Sequence, residues 1–296
     1  MTRWRREARD LLELWLLPGL AAVLPWALCF PLYRRLARFN GLYRETVEAD
    51  WREAMRQGWG GENQSHWLWQ RRLVTLVDHA DLYLSLTRGK AWSARFVDVQ
   101  GVWPAAGQAA LLCTFHWGAG MWGLRNAVAH WGHAHALVAP LDRRYFAGRT
   151  LLWLYACLRT REVGRVLNAP ALDISASLRP VLRALQQGQV VMAAVDVPAD
   201  TADASVEVPL LGRIARFPRG LFRVAAQQNV PVSVYITGLD IGTGRRWLRM
   251  KNLTLQESPQ LLAEQVFAEL SVLIAQDAPA WHFWGQAPRI FRSNDE

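Results

Sequence analysis

Short apolar runs alternate along most of the chain with longer segments whose apolar residues recur at helical spacing. The short runs have the length and β-branched content of strands; they are residues 95–100, 109–115, 134–139, 190–196, 230–236 and 247–255. Helices are predicted at 42–60, 65–88, 119–131, 143–158, 175–187, 218–228 and 259–276. Several strands are apolar almost throughout, which is typical of strands that are buried on both faces. The pattern predicts an α/β fold with a central, mostly parallel β-sheet covered by helices.

The amino-terminal segment has a different pattern. Residues 14–33 carry no charge, and arginines flank this run on both sides. About twenty apolar residues can cross a bilayer as a helix, although each interior proline removes a hydrogen bond and kinks a helix. Three interpretations stay open: a membrane-inserted or interfacial anchor, which we favour, an apolar helical hairpin on the domain, and a signal peptide. We therefore expect a membrane-associated helical segment at 1–40 and a single α/β domain at 41–296.

Composition narrows the class of partner. The chain has 296 residues, of which 51% are hydrophobic and 20% charged, and this excludes a disordered protein. Its net charge of +9 indicates an acidic partner. The 16 tryptophans favour an anionic lipid surface over nucleic acid, because tryptophan collects at membrane interfaces. The widely spaced Cys29, Cys113 and Cys157 predict buried free thiols, which suit a reducing cytoplasm.

Two polar residues each follow an apolar strand: His116 and Asp196. Ligands of open α/β sheets bind beyond the carboxyl ends of the strands, so we expect both residues in one cleft. Gly118 and Gly120 would let the backbone approach a ligand, with the amides of the next helical turn directed at an anion. His116 is a candidate general base, unless it only caps a helix or packs in the core. Asp196 could orient His116, meet an arginine or simply form a turn.

Arginines supply the other candidate site. Arg213, Arg216 and Arg219 recur at a spacing of three and predict a clamp for phosphate or carboxylate, unless they form a solvated basic face. The same alternatives apply to Arg179. The histidines within residues 130–135 have no Cys, Asp or Glu nearby, so we predict no metal site there. The chain also lacks a phosphate-binding glycine loop, a dinucleotide fingerprint and a serine-hydrolase elbow.

Together these pieces resemble the lysophospholipid acyltransferase superfamily, and within it the late lipid A biosynthesis (lauroyl/myristoyl) acyltransferases. The resemblance runs over residues 10–292. "TFHWGAGMWGLR" at 114–125 stands where the family has a strand followed by its His-x4-acid motif. "LRPVLRALQQGQVVMAAVDVP" at 178–198 matches the family's helix, glycine turn and Asp-ended strand. Further matches are "APLDRRYFAGR" with Arg149 in the acceptor-side block, the block at 206–232, and the closing "APAWHFWGQAPRIFR".

The resemblance implies an enzyme that moves a fatty acyl group from a thioester to a hydroxyl of a lipid or glycolipid. The thioester donor would be an acyl-carrier protein or coenzyme A, and no metal or bound cofactor is implied. His116 would be the general base at the cytoplasmic face of a bacterial inner membrane. The glycines and arginines named above would bind substrate, and the arginines would meet an acidic carrier protein.

The chain departs from the family's motif at one position. The matching acid would stand at Met121, and residues 117–141 contain no Asp or Glu. In a serine-protease triad, replacing the orienting carboxylate by its amide lowers turnover about 10⁴-fold. A distant carboxylate could replace the acid (Asp196 first, Asp142 or Glu162 next), or the histidine could act unaided on a more acidic acceptor. Alternatively, the protein binds acyl lipids or acyl carriers without catalysis. A nucleic-acid binder is supported by charge alone.

Overall fold

The structure is a computed structural model that describes residues 2–138, 141–174, 177–199 and 201–291, except the side chain of Ala202. The helices are α1 (Arg3–Asp10), α2 (Leu17–Val23), α3 (Trp26–Leu36), α4 (Arg44–Arg56), α5 (Gln64–Thr87), α6 (Lys90–Phe96), α7 (Met121–Trp131), α8 (Thr150–Leu167), α9 (Arg179–Gln186), α10 (Gly220–Gln227), α11 (Pro259–Asp277) and α12 (Ala287–Ile290). The strands are β1 (Val97–Gln100), β2 (Ala110–Thr114), β3 (His135–Val138), β4 (Leu172–Asp173), β5 (Val190–Ala194), β6 (Ser205–Leu210), β7 (Arg213–Pro218), β8 (Val232–Leu239) and β9 (Arg246–Asn252).

The strands form one large sheet and a separate hairpin. The large sheet has seven strands in the order β1-β9-β8-β2-β5-β3-β4. Each neighbouring pair is parallel except β8 and β9. The strands β2, β5 and β8 are buried at nearly every position, as their apolar runs require. The prediction of an α/β fold with a mostly parallel central sheet is confirmed.

The predicted elements differ from the structure mainly around residues 205–218. There the antiparallel hairpin β6–β7 stands where we predicted no strands. Its turn consists of Leu211 and Gly212 with φ of +56° and +77°, the left-handed pair that joins two strands tightly. The predicted helix at 143–158 instead begins at Thr150, after a short 3₁₀ turn, and runs on to Leu167. The predicted helix at 175–187 begins at Arg179, and residues 175–176 lie outside the described part.

The amino-terminal apolar run is divided between two helical stretches. The helix α1, a π-helical turn at Leu11–Leu16 and α2 follow one another without interruption, the chain turns at Leu24–Pro25, and α3 follows. A single helix over 14–33 is therefore not formed. Trp26 and Phe30 of α3 pack into the same hydrophobic core as the sheet. Among the described residues, no helix has the length and apolar character needed to cross a membrane.

Pro18 accounts for the π-helical turn that precedes it. Proline has no amide hydrogen, so the carbonyl of Leu14 loses its usual helical donor. The Tyr83 hydroxyl from α5 donates to that carbonyl at 2.7 Å. The carbonyls of Leu17 and Pro18 share the single hydrogen of the Tyr33 hydroxyl from α3, which lies 2.9 Å from each. The Tyr83 hydroxyl thus satisfies the carbonyl that Pro18 leaves free, and both hydroxyls fix the inner face of the helix to the domain.

A buried ion pair joins α5, the sheet and the amino-terminal segment. Asp81 of α5 accepts from Arg246 of β9, and both side chains are fully buried. The Arg246 guanidinium also lies 4.1 Å from the centre of the Trp26 ring. Arg246 and the Trp26 indole both donate to the carbonyl of Gly244, at 2.8 and 2.9 Å. One guanidinium therefore connects three parts of the chain that are distant in sequence.

We expect Asp81→Asn to lower the free energy of unfolding by about 3–5 kcal/mol, because Arg246 would remain buried without its counter-charge. Equilibrium urea unfolding measures this. The double variant Asp81→Leu/Arg246→Met should lose much less than the two single variants together, since it removes both charges. A cost below about 1 kcal/mol for Asp81→Asn would contradict the role given to the pair.

Candidate active site

His116 and Asp196 meet because of the register between two parallel strands. In that register Thr114, the last residue of β2, is paired with Ala194, the last residue of β5. His116 and Asp196 each lie two residues further along the chain. The amide of Val195 donates to the carbonyl of Thr114 at 2.9 Å and continues the pairing past the strand ends. The structure thus places both residues at one edge of the sheet.

The Asp196 carboxylate holds His116 through both its backbone and its ring. It is fully buried. It accepts from the His116 amide at 2.9 and 3.1 Å, from the Trp281 indole at 2.9 Å, and lies 2.8 Å from Nδ1 of His116. Since the carboxylate oxygens act as acceptors, Nδ1 carries the hydrogen and the lone pair is on Nε2. The His116 side chain is 36% exposed, so its ring is accessible.

The closing segment of the chain forms one wall beside His116. The Phe283 ring stacks on the imidazole of His116, with centroids 3.7 Å apart and planes inclined by 10°. The amide of His282 donates to the His116 carbonyl at 2.8 Å. Trp281, which donates to Asp196, packs edge-on against Trp284. From the sequence we gave this segment no place at the site, and no local pattern signals a contact over 160 residues.

His282 is itself fixed by a buried charge pair. The guanidinium of Arg71 lies 2.7 Å from Nδ1 of His282 and donates to Asp50 at 2.7 Å. A guanidinium can only donate, so Nδ1 accepts, and the opposite nitrogen donates to the Gly118 carbonyl at 3.1 Å. Burial, and then Arg71, lower the pKa of His282 to about 3. A neutral imidazole therefore holds the turn that follows His116.

The two glycines of this turn have different roles. Gly118 has a φ of +54°, and a Cβ there would lie 2.6 Å from the carbonyl oxygen of Thr237. Its amide donates to the carbonyl of Ala280 at 3.1 Å. Gly118 is therefore needed for the backbone path. We had expected Gly118 to bind substrate, but its amide is already bonded within the protein. Gly120 precedes α7, lines the pocket beside His116, and has open space where a side chain would stand.

A pocket of about 460 Å³ opens beside His116. This volume is within the range of small-molecule sites. Most of its wall is apolar; the apolar part includes Phe115, Trp117, Met121, Leu124, Val163 and Met192. Met121 is buried at the first position of α7, so the position that resembles the family's acid is part of the apolar wall. The first amides of α7 have no partner within the helix, and Gly120 and Met121 at the start of this helix line the pocket.

One wall of the pocket carries charge. Asp78 and His79 come from α5, and Tyr155 and Arg159 come from α8. Arg159 donates to Asp78 at 2.9 Å, and Nδ1 of His79 lies 2.8 Å from the Tyr155 hydroxyl. Burial, the largest single effect, would raise the pKa of Asp78, but the charge and hydrogen bond of Arg159 together with smaller effects of His282 and His79 lower that pKa to about 2. The Arg159 side chain is 31% exposed and lines the pocket, so it can meet a ligand.

We did not predict this charged wall from the sequence. A signal was present, because ionisable residues interrupt the apolar stretch 76–84 of α5. Such residues are seldom buried without a partner, and here the partners are on α8, about eighty positions away. The sequence could therefore have indicated that Asp78 and His79 were unusual, but not what they contact.

The arginines that we predicted to bind substrate are not brought to this pocket. They are Arg149, Arg179, Arg213, Arg216 and Arg219. Arg149 donates to Asp10 at 3.0 Å and fixes α1 to α8. Arg213 and Arg216 are on strand β7, where a spacing of three places them on opposite faces. Arg216 pairs with Glu207 at 2.9 Å, and Arg179 and Arg219 are exposed near the starts of α9 and α10. The predicted clamp would form only on a helix, where a spacing of three places side chains on one face.

The other carboxylates considered as replacements for the acid are engaged elsewhere. Asp142 accepts from Arg144 at 2.8 Å. Glu162 is buried and accepts from Ser85 at 2.5 Å and from Arg165 at 2.6 Å. In the part of the chain that the structure describes, no group of three or more His, Cys, Asp or Glu is arranged to hold a metal ion. Asp196 is the carboxylate that contacts the His116 ring.

No model of a known protein family matches the chain, and no curated protein matches it at a significant level. The chemistry of the site must therefore be inferred from its own geometry.

We expect the imidazoles of His79 and His282 to stay neutral at pH 5.5, because burial lowers their pKa values to about 4 and about 3. In the unfolded chain a histidine takes up its proton near pH 6.5. Each therefore contributes stability that is fully present above pH 6.5 and is lost as the pH falls towards the folded value. NMR spectra of ¹⁵N-histidine-labelled protein, assigned with His79→Gln and His282→Gln, measure this. Protonated signals from either ring at pH 5.5 would contradict it.

Proposed function

We propose that the protein is an acyltransferase of the lysophospholipid acyltransferase type, which moves a fatty acyl group from a thioester to a hydroxyl of a lipid or glycolipid. The observation that carries the proposal is the His116–Asp196 pair beside an apolar pocket. Asp196 fixes Nδ1 of the ring at 2.8 Å, which leaves the Nε2 lone pair for a proton. Because the ring stacks on Phe283 and its backbone is held at both the amide and the carbonyl, its orientation is set before substrate arrives.

This arrangement supports a direct transfer of the acyl group to the acceptor hydroxyl. Nε2 of His116 takes the proton of the acceptor hydroxyl while its oxygen attacks the thioester carbonyl. The tetrahedral oxyanion is stabilised by the first amides of α7 and by Arg159, which Asp78 positions. The carbon–sulfur bond then breaks, and the departing sulfur takes the proton from the imidazolium. The products are an ester and a free thiol.

The apolar wall suits the acyl chain. Met121 and Leu124 of α7 and Val163 of α8 lie on the same pocket as His116, so a chain attached to the reacting carbonyl has apolar contacts available. In this proposal Asp196 takes the orienting role of the missing acid. The donor is an acyl-carrier protein or coenzyme A thioester, and the setting is the cytoplasmic face of a bacterial inner membrane.

The first test removes the proposed pair. His116→Ala should lower acyl transfer by about 10³–10⁴-fold and Asp196→Asn by about 10²–10⁴-fold, since the ring then loses its base or its correct tautomer. The purified protein is supplied with acyl-carrier-protein and coenzyme A thioesters and with extracted bacterial lipids. Thiol release and mass spectrometry of the lipids follow the reaction.

Glu162→Gln provides the matched control, because it neutralises another buried carboxylate that does not line the pocket. Its turnover should match that of the wild type once folding has been verified by thermal unfolding. Unchanged turnover in both His116→Ala and Asp196→Asn would eliminate the pair. If the wild type binds acyl-carrier protein but releases no thiol with any acceptor, the protein is a non-catalytic acyl-carrier binder.

Arg159 provides a second test. We expect Arg159→Met to lower kcat about 10²–10³-fold with a smaller change in KM, because the guanidinium acts on charge that develops in the transition state. Asp78→Asn is combined with it so that no unpaired carboxylate remains buried. Arg165→Met combined with Glu162→Gln, which removes an ion pair of the same helix outside the pocket, is the control and should leave kcat unchanged. A change confined to KM would assign Arg159 to binding instead.

A further inference from the structure

A stripe of exposed apolar side chains runs along the outer face of the amino-terminal helix. The uninterrupted helical run Arg3–Val23 is about 30 Å long at 1.5 Å per residue. Along it the large apolar side chains are 41–84% exposed at five positions: Trp4, Leu11, Leu12, Leu16 and Val23. We call these five residues the outer stripe. Since soluble surfaces seldom expose apolar side chains in a continuous patch, the stripe indicates an interaction surface.

The charges of this helix are divided between its two faces. The acidic side chains turn inward: Asp10 and Glu13 are buried, and Glu7 accepts from the amides of Thr150 and Leu151 at the start of α8. Arg3 and Arg5 are exposed at the same end of the helix as Trp4. The surface that faces outward is therefore both apolar and positively charged.

We propose that the outer stripe is a membrane-docking surface that lies in the plane of an anionic bilayer. Leu12, Leu16 and Val23 would enter the acyl region, with Trp4 at the headgroup boundary and Arg3 and Arg5 on lipid phosphates. An anionic lipid surface satisfies both the apolar and the charged part, whereas nucleic acid would leave the leucines exposed. The inference rests on the proposed function for its purpose, access to a lipid acceptor, but not for its physical basis.

The helix that carries the outer stripe packs against α8, which lines the pocket. The Trp15 indole, next to the stripe, donates to the Leu151 carbonyl of α8 at 3.2 Å, and its ring meets Tyr155 edge-on at 6.2 Å. Glu7, which accepts from the Thr150 amide, and the Asp10–Arg149 pair join α1 to the start of α8. Because α8 also carries Arg159, the docking helix is packed directly on a helix that supplies one wall of the pocket.

The experiment compares two triple variants of the full-length protein. Leu12→Gln/Leu16→Gln/Val23→Gln removes the apolar character of the stripe, where these side chains are 45%, 55% and 75% exposed. Met55→Gln/Leu261→Gln/Val272→Gln changes helical side chains that are 47%, 49% and 52% exposed on α4 and α11. Sedimentation with vesicles of phosphatidylcholine, with and without phosphatidylglycerol, measures partitioning.

We expect the stripe variant to lose roughly tenfold or more of its partitioning, and the control variant to bind like the wild type. Arg3→Gln/Arg5→Gln should weaken binding only to vesicles that contain phosphatidylglycerol, by about fivefold per arginine, and added salt should do the same. Equal binding by the two triple variants, or no vesicle binding by the wild type, would overturn the proposal. So would self-association of the wild type that only the stripe variant abolishes, which would assign the surface to a second copy of the chain.

Two further measurements separate this proposal from the catalytic one. His116→Ala should bind vesicles like the wild type. The stripe variant should release thiol from a thioester at the wild-type rate with a water-soluble alcohol, and lose activity only with acceptors in vesicles. Vesicle binding without thiol release by the wild type would support docking and reject the transferase. Loss of activity by the stripe variant towards the soluble alcohol would contradict a purely docking role.

Discussion

The arrangement of the site depends on the desolvation of a single carboxylate. Asp196 is fully buried, and a charge without hydrogen bonds in that position would be strongly unfavourable. Its donors are the amide and ring of His116 and the indole of Trp281, which come from the end of β2 and from the closing segment. The hydrogen bonds that stabilise the carboxylate therefore also orient the imidazole and fix the end of the chain against the sheet.

Much of the fold could be predicted from the sequence, and so could the contact between His116 and Asp196. Apolar runs marked the central strands, and parallel strands end at the same edge, so residues that follow such strands meet. The hairpin β6–β7 was missed because Pro209 and Gly212 resemble loop residues. The same error produced the arginine clamp, since a spacing of three joins side chains on a helix and separates them on a strand.

The rest of the site could not be predicted, because its contacts are long-range and leave no periodic pattern. His282 and Phe283 reach His116 from the other end of the chain. Asp78 and Arg159 are on helices that pack together only once the fold is complete. The charge and tryptophan content indicated a lipid partner, but seven of the tryptophans are buried in the core. The number of tryptophans therefore does not identify the ones that could contact lipid. Trp4 is a candidate because its side chain is exposed.

An orienting carboxylate that follows β5 leaves a different pocket from one at the start of α7. An acid at position 121 would place a negative charge at the start of a helix, where it competes for the free amides and lies in the pocket wall. Asp196 does not line the pocket in the described part of the chain, because it is covered by His116 and Trp281. Met121 is thus an apolar part of the pocket wall, and no side-chain oxygen at position 121 competes for the first amides of α7. The position of Asp196 therefore lets a buried carboxylate orient His116 while the start of α7 stays apolar.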